Sequence, residues 1–118
     1  MSTLTQIGAI NAVIEAWTLK GSKPFCTRLE VPAGGSKTVK VTQPFYGYVA
    51  VYGYNGAHSG IYQLGYDSGS GVAINKAVAA ATDLTITRSG SNYTAANANA
   101  TYKAILYLFT LEGSAEEV

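Results

Sequence analysis

The sequence predicts a mainly β fold, an antiparallel β-sandwich of jelly-roll type behind one short N-terminal helix, and three observations carry that expectation. From about residue 25 onward the apolar residues recur with a period of two, and seven or eight such stretches follow one another at close spacing. Glycine-rich or Asn-Gly turns separate them. No helical pattern lies between the stretches, so the crossover helices that a parallel sheet requires are missing. At 118 residues the chain has room for one core. The expected organisation is an oligomerisation stem over 1–22, a sandwich over 23–113 and an acidic tail over 114–118.

The helix comes first. Ile7, Ile10, Ile14 and Trp17 are spaced three, four and three apart, which predicts a helix over about 4–18 with Ser2 or Thr3 as its cap. Isoleucine at both a-type and d-type positions favours trimers or tetramers over dimers, so an intermolecular seam would be a three-fold one. The same stripe also fits packing on the chain's own sheet. Gly8 costs an isolated helix about 1 kcal/mol, so packing of one kind or the other is needed.

Lys20-Gly21-Ser22-Lys23-Pro24 ends the helix, and the period then changes. Phe25, Thr27, Leu29 and Val31 share one face of a strand, Pro32 to Ser36 turn the chain, and Val39 and Val41 alternate with Lys40 and Thr42; this reads as a hairpin with one wet face. Strands are expected next over 46–54, 60–66, 72–78, 83–88 and 93–97, with turns at Asn55-Gly56, at 67–71 and at 89–92. Ala77 to Ala81 has the composition of a helical turn but is too short for a crossover. Residues 102–111 are apolar on both faces, as in a strand in the middle of a sandwich or one covered by a neighbouring subunit.

Composition then narrows the function. Eight basic against seven acidic residues leave a net charge of +1, with no global field to gather phosphates, so no nucleic-acid partner is expected. No run of about 18 apolar residues exists, so membrane insertion is not expected either. The first lysine is Lys20, and Asn11 and Glu15 interrupt the apolar N-terminus, which is not the pattern of a secretory leader. A single cysteine, Cys26, and a single histidine, His58, exclude a disulfide framework, a four-cysteine zinc site and any site needing two imidazoles. No cofactor or metal is expected. A low-charge surface rich in Ser, Thr, Gly and Tyr, without an export signal, suits a virion component made in the host cytoplasm and released by lysis.

Tyr46, Tyr48, Tyr52 and Tyr54 fall on even positions of one strand, with Val49 and Val51 opposite, so the valine face is the expected core face. The tyrosine face has two readings. It is a subunit interface, where the rings bury area while their hydroxyls keep polar partners, or a platform on which sugar rings stack. Tyr62 and Tyr66 on the next strand would extend either surface, and the second reading also draws in the loop residues Asn55, His58 and Asp67. The expected ligand-binding set is thus Tyr52, Tyr54, Asn55, His58, Tyr62, Tyr66 and Asp67. Catalysis has little support: Ser59 adjoins His58 but on no nucleophile elbow, and the seven acids suggest no facing pair for glycoside hydrolysis.

Several segments together resemble bacteriophage tail-fibre and receptor-binding tip domains. They are the short helical stem, Gly34 to Thr42, the Tyr/Gly/Val strand from Tyr46 to Gly56, Gly60 to Tyr66, Ser89-Gly90-Ser91-Asn92-Tyr93-Thr94, and the apolar final strand from Ala100 to Leu111. The resemblance covers nearly the whole chain and is one of organisation, without a fixed motif. It implies a homotrimer, a stem helix built on Ile7, Ile10, Ile14 and Trp17, a β-sandwich head, and recognition of a host-surface saccharide or of another virion protein. The expected function is non-enzymatic adhesion. The alternatives are an assembly, connector or decoration protein with no glycan ligand, and a small polysaccharide hydrolase.

Overall fold

The computed structural model describes residues 25–118. The stem helix expected from Ile7, Ile10, Ile14 and Trp17 lies outside the described residues. Among the described residues nine strands follow one another: β1 (Cys26–Val31), β2 (Ser36–Val41), β3 (Phe45–Tyr52), β4 (Gly60–Asp67), β5 (Val72–Ala79), β6 (Leu84–Ser89), β7 (Asn92–Asn97), β8 (Ala104–Glu112) and β9 (Ala115–Glu117). They form a five-stranded sheet in the order β1-β8-β3-β4-β5 and a four-stranded sheet in the order β6-β7-β2-β9, with every pairing antiparallel. The outer nesting, β1 with β8 and β2 with β7, is jelly-roll-like; inside it β3, β4 and β5 run as a meander and β6 turns back onto β7.

Alternation decides which side chains meet between the sheets. In β3, Phe45, Gly47, Val49 and Val51 are buried while Tyr46, Tyr48, Ala50 and Tyr52 point outward, so the valine face is the core face as expected. Leu64, Leu106 and Leu108 join them from the same sheet, and Val39, Val41, Leu84, Ile86, Tyr93 and Ala95 face them from the other. Each fully buried aliphatic or Phe side chain contributes about 1.5–3 kcal/mol. Two tyrosines also tie the sheets together. The Tyr62 hydroxyl donates to the Leu84 carbonyl at 2.9 Å and accepts from the Ala81 N–H at 3.0 Å. The Tyr93 hydroxyl lies 2.9 Å from both the Gly65 and the Ile74 carbonyls, and burial pushes its phenol above the ordinary tyrosine value.

Four expectations are corrected. Residues 25–41 are not a hairpin: β1 pairs with β8 and β2 with β7, and the turn between them carries the chain from one sheet to the other. The buried amide of Asn97 fixes that crossing, donating to the carbonyls of Tyr102 at 2.9 Å and of Val31 and Pro32 at 3.4 Å. Ala77 to Ala79 are strand, because they ladder onto Ile61 and Tyr62. The acidic end is not a loose tail, since Ala115–Glu117 pairs with β2 and Lys37 meets Glu117 at 3.6 Å. Tyr62, expected at a ligand surface, is a core residue; it shares its parity with Leu64, and both point inward.

Candidate functional site

Because neighbouring strands alternate in direction, the connections at 32–35, 53–59, 80–83 and 98–103 all emerge at one end of the sandwich. Backbone hydrogen bonds lace them together. Gly34 N–H donates to Asn99 O at 2.9 Å, Asn97 N–H to Gly35 O at 2.9 Å, Ala98 N–H to Asp83 O at 2.8 Å and Thr82 N–H to Ala57 O at 2.8 Å. The result is a braced surface rather than four independent loops.

The 53–59 connection is shaped from its first residue. A Cβ on Gly53 would lie 2.1 Å from the His58 carbonyl oxygen, so only glycine lets the loop fold back this closely. Asn55 then caps a 3-10 turn over Gly56–His58, its side-chain oxygen accepting from Ala57 N–H at 3.0 Å and His58 N–H at 3.2 Å. The turn expected at Asn55-Gly56 is thus a capped loop. It lays the His58 ring on Tyr54, with centroids 4.5 Å apart and planes 25° from parallel.

Tyr102 stacks on Tyr54 as well, at 4.3 Å and 23°. Two rings this close cannot share one face of a third, so Tyr54 is the middle layer of a three-ring stack. Asn99 positions the outer ring: its side-chain oxygen accepts from Thr101 N–H at 2.9 Å and Tyr102 N–H at 2.8 Å. The Asp83 carboxylate lies against Nδ1 of the inner ring, His58, and Asn99 Nδ2 donates to the same carboxylate at 3.0 Å. The cavity lined by the cluster measures about 10 Å³, too small to hold a ligand.

Beside the stack, Lys103 donates to Glu30 at 3.1 Å, and Arg28 reaches the same oxygen at 3.1 Å. These hydrogen bonds, from Lys103 first and Arg28 second, hold the Glu30 carboxyl below the ordinary glutamate value.

The seven expected ligand residues are therefore dispersed. Tyr54, Asn55 and His58 share this end, and Tyr52, the most exposed of the tyrosines named at 66%, closes β3 just before it. Tyr66 and Asp67 end β4 on the opposite side of the molecule, where Arg88 lies 4.8 Å over the Tyr66 ring and Asp67 caps the 3-10 turn Ser68–Ser70. Tyr62 is in the core. Sequence reasoning missed Asp83, Asn97, Asn99 and Tyr102. The spacing Asn97-Ala98-Asn99 is a local signal, since each Asn accepts from a backbone N–H two residues on. Nothing local links Asp83 to His58.

Ser59 spends its hydroxyl proton on Asn55 O at 2.9 Å and accepts from Gly53 N–H, so it is not presented to His58 as a nucleophile. Among the described residues no three His, Cys, Asp or Glu side chains converge as a metal site would need, and no helix is long and apolar enough to cross a membrane. No protein family, curated protein or solved structure matches the chain.

Proposed function

We propose that the chain is an adhesion module of a phage virion, the head of a tail-fibre or spike-like homotrimer, that binds a host-surface saccharide through this loop end. One observation carries the binding part of the reading. The outer ring of the stack, Tyr102, remains half exposed at 49% while Tyr54, Asn97 and Asn99 hold it rigidly in place. A pre-positioned aromatic face suits the apolar face of a sugar ring, and the exposed Lys103 ammonium follows it in the chain. The virion setting and the trimer rest on the sequence resemblance.

The test is a glycan panel read with the intact chain and with Tyr102→Ala. Binding should fall at least ten-fold in the variant with little change in melting temperature. Loss of stability in step with loss of binding would make the stack a structural brace.

A second reading, an assembly or decoration protein, has its own support. The outer face of the five-stranded sheet presents Tyr52, Ile61, Phe109 and Leu111 exposed, which is the composition of a protein contact. Silence across the glycan panel combined with co-purification of a second virion protein would favour it.

A further inference from the structure

β5 closes the five-stranded sheet at the edge away from β1. Of its eight residues, Ile74 is half-buried and the others are exposed. Among the described residues its one strand neighbour is β4, so its other backbone edge has no ladder partner there. Proteins usually guard an edge of this length with proline, several charges or a covering loop. β5 has no proline and a single charge, Lys76.

Its sequence also reads nearly the same in both directions. About Asn75, Val72 matches Val78 and Ala73 matches Ala77, and only Ile74 and Lys76 differ. The ladder with β4 sets Ala73, Asn75 and Ala77 opposite the inward residues Tyr66, Leu64 and Tyr62, and sets Val72, Ile74 and Lys76 opposite Asp67, Gly65 and Gln63. Val78 sits at the bulge that ends the regular stretch and is exposed. Two such strands paired antiparallel with Asn75 opposite Asn75 keep inward residues facing inward and outward residues outward. Valine then meets valine and alanine meets alanine, while Lys76 falls opposite Ile74 and not opposite itself. Asn75 Nδ2 is already engaged, donating to the Ile86 carbonyl at 2.8 Å, which leaves the centre of the pairing uncrowded.

We propose that β5 pairs antiparallel with β5 of a second copy about a two-fold axis at Asn75, joining two five-stranded sheets into one of ten strands. A second copy is the occupant because only self-pairing makes use of the near-palindrome; a foreign strand would gain nothing from it. The contact goes beyond the adhesion reading. Combined with a three-fold stem it would link one trimer to another.

The experiment measures the mass of the intact chain by light scattering across a dilution series. Wild type should contain an even number of chains. Val72→Lys combined with Val78→Lys places lysine directly opposite lysine twice, and the mass should fall two-fold with the circular dichroism unchanged. Val72→Lys combined with Val78→Glu places lysine opposite glutamate twice and should restore the wild-type mass. A wild-type chain that is monomeric or trimeric at every concentration overturns the proposal. So does a folded double-lysine variant that keeps its mass, or a folded Lys/Glu variant that fails to regain it.

Discussion

Tyr62 and Leu84 sit in opposite sheets and are joined by a hydrogen bond of 2.9 Å from the tyrosine hydroxyl to the leucine carbonyl. The same hydroxyl accepts from Ala81 N–H, so one phenolic oxygen satisfies both a donor and an acceptor where the chain enters β6. Tyr62→Phe leaves both backbone groups buried without a partner and should cost about 1–3 kcal/mol, read as a lower urea midpoint at unchanged slope. Tyr52→Phe, on an exposed ring, should fall within about 0.5 kcal/mol of wild type. Equal effects from the two would mean that the cross-sheet bond carries no net stability.

Gly53 gives a second prediction. An added methyl meets the His58 carbonyl and Cβ, so Gly53→Ala must push the 3-10 turn outward and take the His58 ring off Tyr54. The expected cost is about 1–3 kcal/mol, as for overpacking elsewhere. The more specific readout is NMR: the ring-current shifts that Tyr54 imposes on the His58 imidazole protons should collapse toward random-coil values. Unchanged shifts would show that the loop absorbs the methyl without moving.

The third prediction concerns acid. Lys103 and Arg28 hold Glu30 below the ordinary glutamate value, so its folded-state pKa lies under its unfolded one. Such a carboxylate adds stability above the unfolded value and loses that contribution as pH falls through the lowered folded value. Urea midpoints of wild type and Glu30→Gln should differ most near neutral pH and converge in strong acid; because the group is exposed the gap should be small and should shrink further in high salt. A gap that widens toward low pH would contradict the assignment.

Much of the architecture was legible because burial on one face of a strand leaves a period of two. Val49 and Val51 against Tyr46, Tyr48 and Tyr52, or Leu84 and Ile86 against Thr85 and Thr87, display it plainly. Partner choice was not legible, since alternation looks the same whether β1 turns back onto β2 or crosses to the other sheet. What decides it is Asn97, 66 residues from Val31, binding the carbonyls at the crossing. The candidate site was legible only where its cause is local. Asn55 and the Gly53 to Ser59 loop announce themselves, whereas Asp83 and Tyr102 reach His58 and Tyr54 through the fold. Tyr54 itself was placed on a stripe that ends at Tyr52, and its two ring faces are taken by His58 and Tyr102.

The nested order of the five-stranded sheet also has a kinetic meaning. β8 stands between β1 and β3, yet it is nearly the last strand in the chain, so the early strands wait with open sides until it arrives. The β3-β4-β5 meander and the β6–β7 hairpin close short loops and can form early, while seating β8 closes loops of more than fifty residues and comes late. During synthesis the exposed flanks of β1 and β3 are therefore the vulnerable surfaces, and crowding of nascent chains would act there first.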